Sequence, residues 1–383
     1  MHIPEEVGDL IERVLPDALE LRRKLHENPE PSYHEYETTR IIKDALVGRG
    51  LTPVDRTPRT GLWVDSGKNP VCAFRADIDA LPIDEPAGNI PESQNPGWMH
   101  ACGHDAHSAI AFGLAVVFSQ MEKSPAVRFL FQPAEEGFPG GAVEMVAEGL
   151  IDGLSSILAF HVDPALETGK FGIRTGPITA SADKFTISLT GPGGHTARPH
   201  RTVDLVAAAA RIVIDLPAVL RASVDARQAL TLVFGSIHGG ATENVIPTRV
   251  ELKGTVRTLD RGLWDQLPGL MEKILSNLAG VTEASYELTY QRAISPVVND
   301  ARVIASVADG ISSFYDDAIV HTPTSMGGED FANYLDVIPG ALVRLGSARG
   351  HGDLHSSAFH LDEAAIGHGI RAGVAALLNL VAR

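Results

Sequence analysis

The sequence predicts an α/β protein in which a smaller α+β domain interrupts a larger one. Three observations carry this. Short apolar strands alternate with helical stretches up to about Gly176-Pro177, a β-α-β-β-α-β order follows, and the strand–helix texture then returns. A single core rarely grows beyond about 250–300 residues, so 383 residues also predict two domains on length alone.

Residues 7–26 place Ile11, Val14, Leu15, Ala18, Leu21 and Leu25 three and four apart, the spacing of a helix with one buried face. Pro29 and Pro31 end it. Ser32-Tyr33-His34-Glu35 has the form of a capping box and predicts a second helix running to Leu46. Apolar segments 71–74, 127–131 and 157–160 each end at a polar cluster, as strands buried on both faces do. A helix over 105–121 lies between the first two.

Beyond Pro177, residues 185–189 alternate as a strand and 203–216 read as a helix. Strands over 230–234 and 250–256, a helix over 261–278 and a strand over 284–290 complete a split-βαβ, ferredoxin-like order. A helix from Ala301, a strand over 341–345 and a helix over 362–381 restore the first texture.

Composition narrows the function. With 32 Lys+Arg against 48 Asp+Glu the net charge is −16, which argues against nucleic acid as a partner. The longest apolar run, 109–118, is far short of the about 20 residues that cross a bilayer, so no membrane association is expected. The first residues lack the pattern of a secretory leader and only Cys72 and Cys102 occur, so a reducing cytoplasm is the expected location.

Four clusters sit at strand ends or in loops, where open α/β sheets place their sites. In residues 99–107, Cys102 and His104 flank one glycine and can turn toward one ion; the plain alternative is a buried Cys beside surface histidines. In residues 131–137, the adjacent carboxylates Glu135 and Glu136 repel unless a cation relieves them, and one could bind it while the other works as a base. His161 ends the third apolar strand, and residues 351–357 carry His351 and His355 in a Gly/Ser-rich loop. Together they point to a metal site.

The sequence resembles the amidohydrolase branch of the aminoacylase/carboxypeptidase family of dinuclear metallopeptidases, which includes hippurate hydrolases, auxin-conjugate hydrolases and N-acyl-amino-acid deacetylases. The likeness rests on residues 21–26, 74–82, 102–105 and 132–137, on Gly193-Gly194-His195, and on residues 243–247 and 326–331, in family order. Pro31 replaces a usual Leu, and Ser356-Ser357 a common Asn-Pro.

The resemblance implies a zinc-peptidase-like α/β/α catalytic domain, residues 1–177 and 294–383, with an inserted ferredoxin-like lid and dimerisation domain, residues 178–293. It implies two divalent ions (Zn, Mn, Co or Ni), with Cys102 bridging them and His104, Glu136, His161 and His355 completing the ligands. Glu135 becomes the general base for a metal-bridged water, and Asp77 the carboxylate that orients a ligand or the base. Arg75 stands where related branches carry a metal-binding His, a loss His104 would compensate; His100, Asp105 and His107 rank as supporting residues.

His195 becomes a lid residue that hydrogen-bonds the developing oxyanion from a neighbouring subunit of a homodimer. Asn244 and Arg257, thirteen residues apart as on neighbouring strands of one sheet, become the substrate-carboxylate site. The reaction implied is hydrolysis of the amide of an N-acyl amino acid or short peptide. A carboxypeptidase, and a non-catalytic binding protein on the same fold, are the alternatives.

Overall fold

The computed structural model describes residues 5–122, 124–348 and 352–382; His351 and the first four residues lie outside them. In chain order the elements are α1 (Glu5–Glu27), α2 (Tyr36–Gly48), β1 (Val54–Asp55), β2 (Leu62–Asp65), β3 (Cys72–Asp77), α3 (His104–Gln120), β4 (Val127–Gln132), α4 (Gly141–Ala147), β5 (Ile157–Glu167) and β6 (Phe171–Ile173). Next come β7 (Gly176–Thr179), β8 (Ala182–Thr190), β9 (Gly194–His195), α5 (Leu205–Ala222), β10 (Leu230–Gly239), β11 (Val245–Ile246), β12 (Arg249–Thr258), α6 (Arg261–Thr282) and β13 (Ser285–Ile294). The last are β14 (Val297–Asn299), α7 (Ala301–Ser312), β15 (Ile319–His321), α8 (Ala332–Leu335), β16 (Gly340–Ala348) and α9 (Ala364–Val381).

The chain divides into two compact units. The first comprises Met1–Gly176, Val298–Pro323 and Asp330–Arg383; the second comprises Pro177–Val297 and Thr324–Glu329.

In the first unit, eight strands form one mixed sheet in the order β1-β2-β4-β3-β5-β16-β6-β15. β3 runs parallel to β4 and β5, and every residue of β3 is buried, which explains why its first half, residues 72–74, reads as a continuous apolar run rather than an alternating one. The helix α3 has no solvent face: His104 to Phe118 are all buried. Its close neighbour is α9, where a Cβ on Gly369 would lie 2.5 Å from Ile110 Cδ1, so only glycine permits that approach. Among the described residues α9 is the one helix long and apolar enough to cross a membrane, but residues 365–377 are mostly buried in the core formed with α1, α3 and α7.

The capping box is not formed. Helix α2 begins at Tyr36 with Glu35 at its N-cap, and no side chain caps it. Ser32 Oγ instead donates to Asp79 Oδ2 at 2.7 Å, and the Glu35 carboxyl is committed to Ala134 and Thr60. Tertiary partners outbid the local motif. β2, β6, β15 and α4 are too short to show a period in sequence and were not anticipated.

In the second unit, β10-β12-β8-β13 form an antiparallel sheet whose inward residues pack against α5 and α6. The β-α-β-β-α-β order of this unit is the ferredoxin-like one. Both helices are capped by aspartates: Asp204 accepts from Ala207 N at 3.0 Å and Asp260 from Leu263 N at 2.6 Å. α5 continues through Pro217 to Ala222, with Leu216 before the proline and Leu220 after it both buried on its apolar face.

Candidate metal centre

The parallel register of β3, β4 and β5 brings their carboxyl ends together. Asp77 ends β3, Gln132 ends β4 opposite it, and His161 lies on β5. Gly103 precedes α3 with φ +76°, and a Cβ there would lie 2.4 Å from Val162 Cγ2. Glycine is therefore required between Cys102 and His104, the two side chains this turn directs inward.

The candidate ligand atoms of Cys102, His104 and His161 lie within 4.8 Å of one another, as do those of Cys102, Glu136 and His355 and those of His104, Glu135 and Glu136. Cys102 Sγ is 3.5 Å from His161 Nε2, and His355 Nε2 is 3.0 Å from Glu136 Oε1. The five residues read as ligands therefore come together around Cys102.

Two tautomers are fixed from behind. His104 Nδ1 donates to the carbonyl of Asp79 at 2.9 Å, and His161 Nδ1 donates to the carbonyl of Val162 at 2.7 Å. With each Nδ1 committed, Nε2 is the nitrogen left to meet an ion or, in His161, the Cys102 thiol 3.5 Å away. His104 Nε2 is buried with no hydrogen-bond partner among the described residues, a costly state that a cation would relieve. Burial also pushes the Cys102 thiol up to about 12, although the nearby His104 works against this. The donor set of thiol, imidazoles and carboxylates fits a divalent transition metal.

Both ring nitrogens of His107 are engaged by the protein, although a ligand atom of His107 also lies within 4.8 Å of those of Asp77 and His104. The backbone N–H of Val162 donates to His107 Nε2 at 2.9 Å, and His107 Nδ1 donates to Asp77 Oδ1 at 2.6 Å. Asp77 Oδ2 accepts from Arg75 Nη1 at 2.6 Å, so both its oxygens are engaged. Burial opposes the Asp77 charge, but His104, His107 and Arg75 hold its carboxyl well below the ordinary range. The Arg75 guanidinium also donates to Asp330 Oδ1 at 2.7 Å and Gln132 Oε1 at 2.8 Å. Asp105 is spent on Arg22 Nε and His26 Nδ1, both at 2.8 Å, and His100 is buried with neither ring nitrogen hydrogen-bonded among the described residues.

The peptidase family M20/M25/M40 model matches residues 73–379, the stretch that carries these ligands. This chain belongs to peptidase family M20/M25/M40. Among its relatives, a Rhodococcus jostii protein named glutamate–cysteine ligase 2-3 is 46% identical over 363 residues, which are 93% of this chain but 46% of that protein. The chain thus spans about half the length of that relative. An N-acyl-L-amino acid amidohydrolase of Geobacillus stearothermophilus is 41% identical over 300 residues, 77% of this chain and 81% of that one. The crystal structure of a Bacillus subtilis protein, described as a dinuclear metal-binding peptidase from the M20 family, matches with TM-score 0.84 and 33% identity over 96% of this chain and 99% of that one.

In the second unit of this M20-family chain, His195 lies on β9, exposed, opposite Val245 of β11, and its Nδ1 accepts from Ala197 N at 3.0 Å. Arg257 is on β12 and donates to the Met326 carbonyl at 2.8 Å. Asn244 is not on the sheet that holds Arg257, contrary to the spacing argument. It precedes β11, which pairs with β9, and its carbonyl accepts from Thr196 N at 3.1 Å. A second small ribbon interrupts what the spacing read as one sheet.

Two buried residues near the ligands have a part here that the sequence reading did not give them. Asp79 accepts from the amides of Glu135 and Glu136, and Glu35 accepts from the amide of Ala134. Their partners are backbone groups, which leave no side-chain signature to read.

Proposed function

We propose that this chain is a dinuclear metal-dependent amidohydrolase that hydrolyses the amide bond of N-acyl amino acids. The observation that carries the reading is the convergence of Cys102, His104, Glu136, His161 and His355 beside Glu135. Cys102, His104, Glu136, His161 and His355 would together hold two divalent ions. Zn, Mn, Co and Ni all suit the set, and availability selects among them. Bound cations would supply Lewis-acid polarisation of the amide carbonyl and acidify a water.

The chain's own residues supply the proton traffic. Glu135 takes the proton of the attacking water at its carboxylate and delivers it to the leaving nitrogen. Asp77, locked by Arg75 and His107, holds its charge behind His104 and orients the cluster. His195 donates a hydrogen bond to the developing oxyanion. Arg257 and Asn244 receive the substrate carboxylate, for which a guanidinium fork is well shaped.

The protein is a homodimer joined through its second unit, with His195 serving the partner's site. Two features support this reading: β10 is an edge strand exposing Val233 and Ile237, and α5 exposes Val206, Ile214 and Val219. Both cysteines are free, which fits a reducing cytoplasm.

The test is a panel of N-acetyl, N-benzoyl and indole-3-acetyl amino acids, with unblocked tripeptides, against enzyme loaded with each metal in turn. Release of free amino acid from the acylated substrates is expected. Release of the C-terminal residue from the tripeptides alone would replace this reading with a carboxypeptidase.

A further inference from the structure

Three successive amides after β4 have no strand partner left, and three carboxyl oxygens meet them. Ala134 N donates to Glu35 Oε1 at 2.7 Å, Glu135 N to Asp79 Oδ1 at 3.1 Å, and Glu136 N to Asp79 Oδ2 at 3.0 Å. Ala134 is held at φ +53°, a left-handed conformation that a residue with a Cβ adopts only when its surroundings demand it. The result is a concave row of N–H groups closed over by carboxyl oxygens.

The clamp is itself braced. Ser32 Oγ donates to Asp79 Oδ2 at 2.7 Å, while Thr60 Oγ1 donates to Glu35 Oε2 at 2.6 Å and Tyr33 N to Glu35 Oε1 at 3.0 Å. Asp79 and Glu35 are both at most 1% exposed. The carbonyl of Asp79 also accepts from His104 Nδ1 at 2.9 Å. One residue thus holds the Glu135–Glu136 turn by its side chain and meets a ligand imidazole by its carbonyl and by Oδ1, 3.3 Å from His104 Nδ1.

We propose that Asp79 and Glu35 are positioning residues that clamp the Ala134–Glu136 turn and thereby fix the general base Glu135 relative to His104. The proposal rests on the base and ligand roles given above. Asp79 binds two amides with two oxygens, so asparagine, which offers one oxygen and one N–H₂, cannot replace it. Glu35 needs only acceptor oxygen toward Ala134 and Tyr33, and Thr60 can turn its hydroxyl, so glutamine can replace it. Burial and the neighbouring Asp79 charge push the Glu35 carboxyl up to about 7, which brings the neutral form within reach.

The experiment has two arms. Hydrogen exchange read by mass spectrometry on peptides covering residues 134–136 reports the clamp without any substrate. Kinetics with N-acetyl-L-methionine, or the fastest N-acyl amino acid of the panel, report its consequence, with bound metal measured for each variant. Asp79→Asn is expected to speed exchange at these amides and lower kcat about 10- to 100-fold, with KM and metal content unchanged. Glu35→Leu should do the same, and Glu35→Gln should restore most of the turnover.

In a Glu135→Gln background, Asp79→Asn should cost nothing further, because there is no base left to misplace. Unchanged exchange in Asp79→Asn, or a full additional loss in the double variant, overturns the proposal. If Asp79→Asn does not fold, the Glu35→Leu and Glu35→Gln pair decides on the same readouts. Full turnover in Glu135→Gln instead overturns the base assignment, and leaves the exchange arm to judge the clamp.

Discussion

His107 Nε2 accepts the backbone N–H of Val162 at 2.9 Å, which forces its Nδ1 proton toward Asp77 Oδ1, 2.6 Å away. An imidazole that could have been a sixth ligand is thereby a brace. His107→Ala should still bind metal but lose about 2–3 kcal/mol of stability, because it strands a buried carboxylate oxygen and a buried amide. His104→Ala should lose metal. Denaturant unfolding and bound-metal measurements on the two variants separate the roles; loss of metal from His107→Ala alone would reverse them.

Glu135 is 9% exposed, close to the ligands without being one of the five. Glu135→Gln keeps the shape and removes the proton acceptor. We expect full metal content with kcat lowered at least about 10²-fold. Near-normal turnover of a metallated variant would refute the assignment.

The two cysteines make an internal control. Cys72 is a fully buried residue of β3, whereas Cys102 is surrounded by ligand atoms. Cys102→Ala should bind less metal and Cys72→Ala should not. Because the thiol must lose its proton to bind, metal affinity in the parent protein should fall as pH falls, with protons released on metal addition in weak buffer. Equal metal content in both variants would remove Cys102 from the site.

Glu35 carries a pH dependence whose sign is fixed by burial. Its carboxyl is raised from 4.5 to about 7, chiefly by desolvation and then by the charge of Asp79. A raised folded-state value means that its stabilisation is complete below about pH 4.5 and is lost as pH rises toward 7. Glu35→Gln lacks that loss. Its stability relative to the parent should therefore rise across this window, by up to about 3 kcal/mol. A flat difference from pH 4.5 to 7, measured by denaturant unfolding, would contradict the buried, strained-charge picture.

The dimer reading predicts complementation. His195→Ala and Glu135→Gln should each be nearly inactive, while subunit exchange between them should regain activity, since some mixed dimers join an intact base to an intact His195. No recovery despite proven exchange would confine His195 to its own chain.

The strands were legible because burial on both faces makes them continuous apolar runs, as in β3 and β4. The residues read as ligands stand out in sequence as thiol, imidazole and carboxylate groups clustered at strand ends and in loops, and the fold brings their donor atoms within 4.8 Å of one another in groups of three. Glu35 was misread because Ser-x-x-Glu is a local signal, while its carboxyl answers to Ala134, ninety-nine residues away in the chain. Asn244 was misplaced because residue spacing cannot reveal that β9 and β11 pair separately from the main sheet. Both failures are non-local: the deciding partner is a backbone group far off in sequence.

β16 lies between β5 and β6 in the sheet, parallel to the first and antiparallel to the second. On the ribosome this central position is supplied only after the whole second unit has been synthesised. Until then β5 presents an open, apolar edge of Ile157–Glu167 to the crowded cell, an edge built to pair. Nascent chains stalled before Gly340 should consequently aggregate or engage chaperones, whereas a pulse-labelled full chain, which supplies both β16 and the core helix α9, should turn protease-resistant.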